Sequence, residues 1–305
     1  MKLYEGTEAV VVAEIDERAF SEQRRGGIGG TDISAIAGLN PWKSALAVYY
    51  EKTTGAIDDN ESERMAWGKR LEPVIAEETA NREGMTIREV PYILGNLHAP
   101  HFRAAIDRLI IDDERGNGVL EVKNMGHWTS RQVRDEAGED AVPDHYLLQI
   151  QWYLYVTGLR WGVFSALMEG CELRTVEVER DDALIADLVS LAEGFWKCIE
   201  DGTPPAADGS ESTKATLERM FPVPKPGANI DLDPEEYTVV FKELFHVKEA
   251  IKPLEKRKKE LEHQLKLAIG DAETATCGTY SATLKLVERK GYVVEPSSHR
   301  RLTVK

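Results

Sequence analysis

From Phe102 to Asn124, polar and apolar positions alternate on either side of a turn rich in Asp, Asn and Gly, Asp112 to Gly118. That period of two predicts two short strands joined as a hairpin. Glu121 and Lys123 then share one face of the second strand, and Leu120 and Val122 share the other. Asp107 is expected inside the first strand, on the face of Arg103, Ala105 and Leu109. Two carboxylates and a lysine thereby meet at one end of a hairpin. Such a set can hold a divalent metal beside a lysine, the equipment for attacking a phosphodiester with water. A Glu-x-Lys on a half-exposed strand is more often a cross-strand ion pair, so the rest of the chain has to decide.

Ahead of the hairpin, MKLYEGTEAVVVAEI reads as a strand. Thr31 is placed to cap a short helix ending at Gly38, and Ser44 a second one ending at Gly55. A long helix is predicted from about Glu61 to Glu83, with Gly84 as its stop. Gly68, Glu72, Ile75 and Thr79 share one face of it, which sets the Glu72 carboxylate in a largely apolar stripe. Lys69 and Arg70 are its nearest candidate partners, and Pro73 is expected to kink the helix there. Past the hairpin, Asn124–Asp140 reads as a polar connector. Pro143 and Asp144 then open a helix, DHYLLQIQWYLYVTG, that stops at Gly158. Gln149 and Tyr153 lie one turn apart on it, with Tyr146 a turn earlier. Glutamines at 149 and 151 are out of keeping with so apolar a helix. A second hairpin, Arg160–Met168 and Cys171–Glu179, turns at Glu169-Gly170, and an amphipathic helix from Asp181 to Glu200 follows.

From Asp201 the chain becomes rich in Pro, Gly and Ser, which marks a domain boundary. Beyond it Val240, Leu244, Val247, Ile251, Leu254, Leu261 and Leu265 fall on alternating steps of three and four, interrupted by Lys258. The stripe is heptad-like, yet Pro253 predicts two shorter helices packed on each other or on a neighbouring surface. From Thr274 the chain alternates again and reads as a small hairpin, with a basic end at Lys285, Arg289, Lys290, Arg300, Arg301 and Lys305.

Composition changes this picture at three points. Acidic residues outnumber basic ones, 53 to 38, for a net charge of −15, which weighs against a polyanionic partner because phosphate binding needs local positive charge. The objection weakens if bound cations offset some carboxylates and if acidic runs such as Asp58–Glu63 and Asp135–Asp140 lie away from the binding face. The three cysteines, Cys171, Cys198 and Cys277, are odd in number and far apart. Neither a disulfide framework nor a C-x-x-C cluster is indicated, and a cytoplasmic location away from membranes is expected. Local positive charge does occur at Arg24 and Arg25, just ahead of a glycine-rich turn and a helix start. The turn fits neither the dinucleotide nor the P-loop fingerprint, since Asp32 stands where the third glycine of G-x-G-x-x-G would fall. Free backbone N–H groups beside two arginines still make a phosphate cradle; a connector with two solvated arginines is the plain alternative.

Taken in order, GGIGGTDISAIAGLNPWKS, WGKRLEP, AAID, LEVKN and YLLQIQWYLYVTG resemble the λ-exonuclease/YqaJ-type viral recombinase branch of the PD-(D/E)xK nucleases. The resemblance spans about Arg24 to Gly158, and the Gln149–Tyr153 spacing is similar to the family's Q-x-x-x-Y motif. It implies an α/β fold with a restriction-endonuclease-like core, a central mixed β-sheet flanked by helices. The nuclease domain would occupy residues 1–222, followed by a helix and β-hairpin accessory region at 231–305. It further implies that Asp107, Glu121 and the backbone carbonyl of Val122 ligate the metal, and that Glu72 completes the shell directly or through water. Lys123 would be the active-site lysine, with Gln149 and Tyr153 in support. Arg25 and Thr31, with Arg24 beside them, match positions at the DNA end.

The activity implied is Mg²⁺-dependent removal of one strand of linear duplex DNA, 5′→3′, with Mn²⁺ able to substitute. The single-stranded tails would serve phage-type recombination. Implied partners are double-stranded DNA ends, a single-strand annealing protein and further copies of the chain in a ring. The implied setting is the cytoplasm of a bacterial host, with a phage or prophage origin. Rival readings are an endonuclease on the same core and a RecB- or Cas4-like nuclease lacking the iron–sulfur cluster that three scattered cysteines cannot hold. A non-catalytic scaffold binding DNA ends is the third.

Overall fold

Runs of aliphatic and β-branched residues assemble the main sheet around β6 (Gly118–Met125). This strand is antiparallel to β5 (Arg108–Ile111) and parallel to β7 (Trp161–Met168). Strands β2 (Thr86–Glu89) and β8 (Glu172–Glu179) close the two edges, giving the order β2-β5-β6-β7-β8. A parallel pair needs a crossover, and between β6 and β7 it contains helix α5 (Asp144–Thr157). Helix α4 (Glu63–Glu83) covers the opposite face, where Ile75 and Ala76 pack with Ile110, Leu120, Val122 and Val163. Val119 and Phe164 instead join Ile150, Trp152 and Leu154 of α5. The expected alternation holds: Leu120 and Val122 face α4, and Glu121 is turned toward α5. The result is the expected mixed sheet flanked by helices.

The computed structural model describes residues 2–16, 19–56, 62–126, 129, 133, 140–225 and 227–288. Contacts divide the chain into two compact units, Met1–Met220 and Phe221–Lys305. The first unit also holds an antiparallel sheet of β1 (Val10–Glu14), β3 (Tyr92–Gly95) and β4 (Arg103–Ala104). Among the described residues its further helices are α1 (Phe20–Arg25), α2 (Gly30–Ile36), α3 (Ala45–Thr54), α6 (Asp182–Asp201) and α7 (Glu211–Met220). Ser44 and Ser62 cap α3 and α4 by accepting the N–H of Ala47 and of Met65, and Gly55 and Gly84 end those helices in the left-handed region. The second unit contains α8 (Pro234–Ile269) and the hairpin β9 (Thr274–Cys277) and β10 (Tyr280–Thr283).

Several expectations are corrected. The first strand of the central hairpin is broken into β4 and β5, which belong to different sheets, and Asp107 lies in the bend between them. Helix α2 is capped by Gly29, whose N–H is taken by the Asp32 carboxylate at 3.1 Å, so Thr31 lies inside the first turn. The supposed connector at Asn124 begins as strand, because β6 runs to Met125. Helix α8 is continuous through Pro253. Proline removes one hydrogen bond, but the helix is exposed on that side, so the freed carbonyl of Glu249 is open to water. Arg289, Lys290, Arg300, Arg301, Lys305, most of the Asp58–Glu63 run and 135–139 lie outside the described residues.

Candidate active site

The site forms where β5 stops short of β6. Arg108 pairs with Leu120, Leu109 with Val119 and Ile110 with Gly118, so β6 loses its β5 partner beyond Leu120. Asp107 Oδ2 fills the gap by accepting the Val122 N–H at 2.8 Å. A strand residue turns its N–H and C=O to the same edge, so the Val122 carbonyl faces this gap too.

Glu121 is fully buried. Gln149 Nε2 donates to its Oε1 at 2.5 Å and to the Tyr153 hydroxyl at 3.0 Å, which explains a glutamine on an apolar helix. The Lys123 ammonium donates to the same Oε1. The other oxygen, Oε2, is sealed from solvent with no hydrogen-bond partner among the described residues. Burial pushes the Glu121 carboxyl up to about 8, and the Asp107 carboxylate adds to the rise against the opposing Lys123 ammonium. Burial works against the charge on Lys123, but Glu121 and Asp107 more than offset it and raise its pKa. The Tyr153 hydroxyl is raised by burial and by the same two carboxylates, which keeps it neutral.

Glu72 arrives from α4. Its Oε1 accepts from Arg108 Nη1 at 2.9 Å, a partner on the neighbouring strand that the helix pattern does not offer. Burial raises the Glu72 carboxyl, Asp107 adds to that, and Arg108 opposes it. The charge of Asp107 opposes the ionisation of Glu72 and of Glu121, and one oxygen of Glu121 is sealed without a partner among the described residues, a set that fits a divalent cation. As the side chains stand, Lys123, Arg108 and the Val122 N–H each hold one carboxylate. Among the described residues no three acidic, histidine or cysteine side chains are arranged to enclose an ion.

A cavity of about 170 Å³ opens beside Asp107, lined by Phe20, Arg24, Thr31, Arg103 and Tyr153 among others. The Arg24 guanidinium donates to the Thr31 hydroxyl. Helix α2 can approach α5 this closely because position 30 is glycine: a Cβ there would lie 2.6 Å from Tyr153 Cε1 and 2.7 Å from Gln149 Cγ. Buried Asp32 ties the region together, with Lys52 Nζ at 2.7 Å, Lys43 Nζ at 3.4 Å and Arg24 Nη2 at 3.5 Å. Burial works against its ionisation, yet these three cations hold its pKa far below the usual carboxylate range.

Arg25 goes elsewhere. Its guanidinium lies against Gly55, and it lines a second cavity of about 370 Å³ with Lys43 and Lys52. The structure thus gathers Glu72, Asp107, Glu121, Val122, Lys123, Gln149 and Tyr153, sets Arg24 and Thr31 alongside, and leaves Arg25 out. Arg103, expected on the face of Asp107, does line this cavity, whereas Arg108 and the Asp32 cluster were not foreseen as part of the region. The only signal for Arg108 is its place next to Asp107, which alone does not distinguish it from a solvated arginine.

Residues 19–160 match the model of the YqaJ-like viral recombinase domain. Over 287 residues the chain is 33% identical to the uncharacterized protein YqaJ of Bacillus subtilis (strain 168), covering 92% of this chain and 87% of that one. Among solved structures it is similar to the alkaline exonuclease LHK-Exo from Laribacter hongkongensis, at 20% identity and a TM-score of 0.48, over 61% of this chain and 94% of that one. It is also similar to a phage-related exonuclease from Haemophilus somnus 129PT, at 16% identity and a TM-score of 0.45, over 58% and 96%.

Proposed function

This chain belongs to the YqaJ-like viral recombinase family, and from that premise we propose that it is a divalent-metal-dependent deoxyribonuclease that removes one strand of duplex DNA from an end. The observation that carries this reading is the sealed, unpartnered oxygen of Glu121 beside Asp107 and a protonated lysine. A buried carboxylate oxygen is costly unless something positive meets it.

Asp107, Glu121 and the Val122 carbonyl would hold the cation, with Glu72 completing the set. The chemistry a divalent cation supplies at such a site is a lowered pKa for water and positive charge opposite the phosphoryl oxygens. Lys123, kept protonated by its carboxylate neighbours, orients the attacking water and offsets the charge that builds on the phosphate. Gln149 fixes Glu121, and Tyr153 accepts the other hydrogen bond of that amide. Arg24 and Thr31 take the terminal 5′-phosphate, a guanidinium being suited to two parallel contacts with phosphate oxygens.

The activity resides in the first unit, and residues 231–305 are an accessory region. The cation is Mg²⁺, with Mn²⁺ able to substitute, the polarity is 5′→3′, and the tails pass to a single-strand annealing protein in the bacterial cytoplasm. Among the described residues no helix is long and apolar enough to cross a membrane.

Linear duplexes labelled at either the 5′ or the 3′ end, incubated with Mg²⁺ or with a chelator, test the reading. Metal-dependent early release of the 5′ label is the expected result. Cutting of a closed circular duplex would make the protein an endonuclease, and no cleavage with either metal would leave a DNA-end scaffold. Arg24→Ala should erase a preference for 5′-phosphate over 5′-hydroxyl ends; equal rates in the unaltered protein would remove the cradle.

A further inference from the structure

Arg24 shares the wall of the cavity beside Asp107 with a second arginine, Arg103 of β4. The segment ahead of α2 runs alongside β4. The Ile28 N–H donates to the His101 carbonyl and the Arg103 N–H to the Ile28 carbonyl, each at 2.8 Å. That pairing lays the Arg103 side chain against Gly26 and Gly27. A Cβ at Gly26 would lie 2.7 Å from Arg103 Nη2, and one at Gly27 would lie 2.2 Å from the His101 oxygen and 2.7 Å from Arg103 Nε. Neither glycine has a positive φ, so what they supply is close approach rather than a turn. Arg103 Nη1 donates to the Gln23 carbonyl at 2.5 Å, while Nε is sealed from solvent with no hydrogen-bond partner among the described residues.

Arg103 is a half-buried cation without a counter-ion. Among the described residues no carboxylate pairs with it, and burial is what moves its pKa, downward. A guanidinium keeps its charge under such conditions, and a charge drawn out of water is costly until an anion meets it. Arg24 differs, since Asp32 lies 3.5 Å from it. The cavity thus sets two guanidiniums against one carboxylate on its wall, Asp107, which already accepts from the Val122 N–H. A DNA strand offers two kinds of phosphate. A backbone diester carries a single negative charge, whereas a terminal monoester carries about 1.5–2 at neutral pH. One arginine answers the first, and two on one cavity answer the second.

We propose that Arg103 joins Arg24 in holding the terminal phosphate, and that the pair selects a dianionic monoester over a monoanionic diester. This role rests on the end-directed nuclease activity proposed for the chain, and binding without cleavage tests it separately. The probes are duplexes ending in 5′-phosphate, in 5′-methylphosphate (a diester of nearly the same size) or in 5′-hydroxyl, titrated in chelator by fluorescence anisotropy. The unaltered protein should bind the phosphate end about tenfold more tightly than the methylphosphate end. Arg103→Ala should abolish that difference and lower the slope of log affinity against log salt by about 0.9 on the phosphate end. Preference for methylphosphate over hydroxyl, which Arg24 supplies, should persist. Gly26→Ala keeps the arginine but sets a methyl against its guanidinium, since the three nearest atoms to that Cβ are Nη2, Nη1 and Cζ of Arg103. It should reduce the same difference, and it decides the matter if urea unfolding shows Arg103→Ala to be unfolded. Equal affinity of the unaltered protein for phosphate and methylphosphate ends, or a difference that survives in the folded variant, would overturn the role of Arg103. Loss of the methylphosphate preference as well would make Arg103 a support of α1 and overturn it too. Absent cleavage with an Arg103-dependent binding difference would uphold the phosphate site and remove the nuclease activity instead.

Discussion

Glu121 and Asp32 are both buried carboxylates, and burial ends in opposite protonation because their neighbours differ. An unfolded glutamate titrates near ~4.3, whereas folded Glu121 is pushed up to about 8. Between those values folding takes up a proton, so stability from this group is full at low pH and falls as pH rises toward 8. The melting temperature of the metal-free protein should therefore lose this contribution between pH 5 and 8, and Glu121→Gln should flatten the trend. Asp32 runs the other way. Its folded pKa is depressed, so its contribution is present above ~3.9 and is lost as pH falls below that value. Asp32→Ala strands the buried Lys52 ammonium and should cost roughly 3–5 kcal/mol in urea unfolding. At the centre, Asp107→Ala should cut cleavage by about a thousandfold or more with the fold intact, since removing one of several opposed carboxylates relieves repulsion. Loss of stability with cleavage retained would remove Asp107 from the metal set.

At the scale of elements, the site depends on a strand that ends early and on a helix that comes close. Because β5 begins at Arg108, the edge of β6 beyond Leu120 is left for Asp107. Because position 30 is glycine, α2 packs within contact distance of Gln149 and Tyr153. Gly30→Ala inserts a methyl into that contact and should cost about 1–3 kcal/mol, as overpacked sites do. Gln149 would then shift off Glu121, and cleavage should drop by about tenfold or more, since ångström-scale misplacement is enough for such losses. Unchanged urea midpoint and rate would show that α2 does not set the position of Gln149. The pairing of Glu72 with Arg108 makes a related prediction for α4. Glu72→Gln, which keeps the shape and removes the charge, should weaken divalent-metal affinity about 10–100-fold, measured by calorimetry.

For the whole molecule, the division at residues 220 and 221 separates the acidic cluster from the long helix. A chain ending at Gly227 retains the first unit and should still release nucleotides from labelled duplex ends. Fewer nucleotides should be removed per binding event, because the second unit adds contacts that hold the duplex. Equal run lengths for the two forms would separate the second unit from processivity. The net charge of −15 already counts every ion pair, so a polyanion has to be met by local positive charge such as that of Arg24 and Arg103, which line the cavity beside Asp107.

Local chemistry carried much of this structure. Caps at Ser44 and Asp181, stops at Gly84 and Gly158, the turn at Glu169-Gly170 and the placing of Glu121 and Lys123 on one face all depend on neighbours within four residues. Those preferences act before any tertiary contact forms, so they can be read from sequence alone. What tertiary structure decided are contacts between residues far apart in the chain. Glu72 meets Arg108 across 36 positions, Gln149 meets Glu121 across 28, and the Asp107 carboxylate accepts from Val122 across 15. Arg24 and Arg25 are adjacent in sequence but about 100° apart around a helix, so only the packing of α1 determines which one reaches the cavity beside Asp107. Pro253 shows the same limit. Its local preference argues for a break, while an exposed helix that loses one hydrogen bond can hydrate the freed carbonyl, and which outcome prevails depends on surroundings the local pattern does not contain.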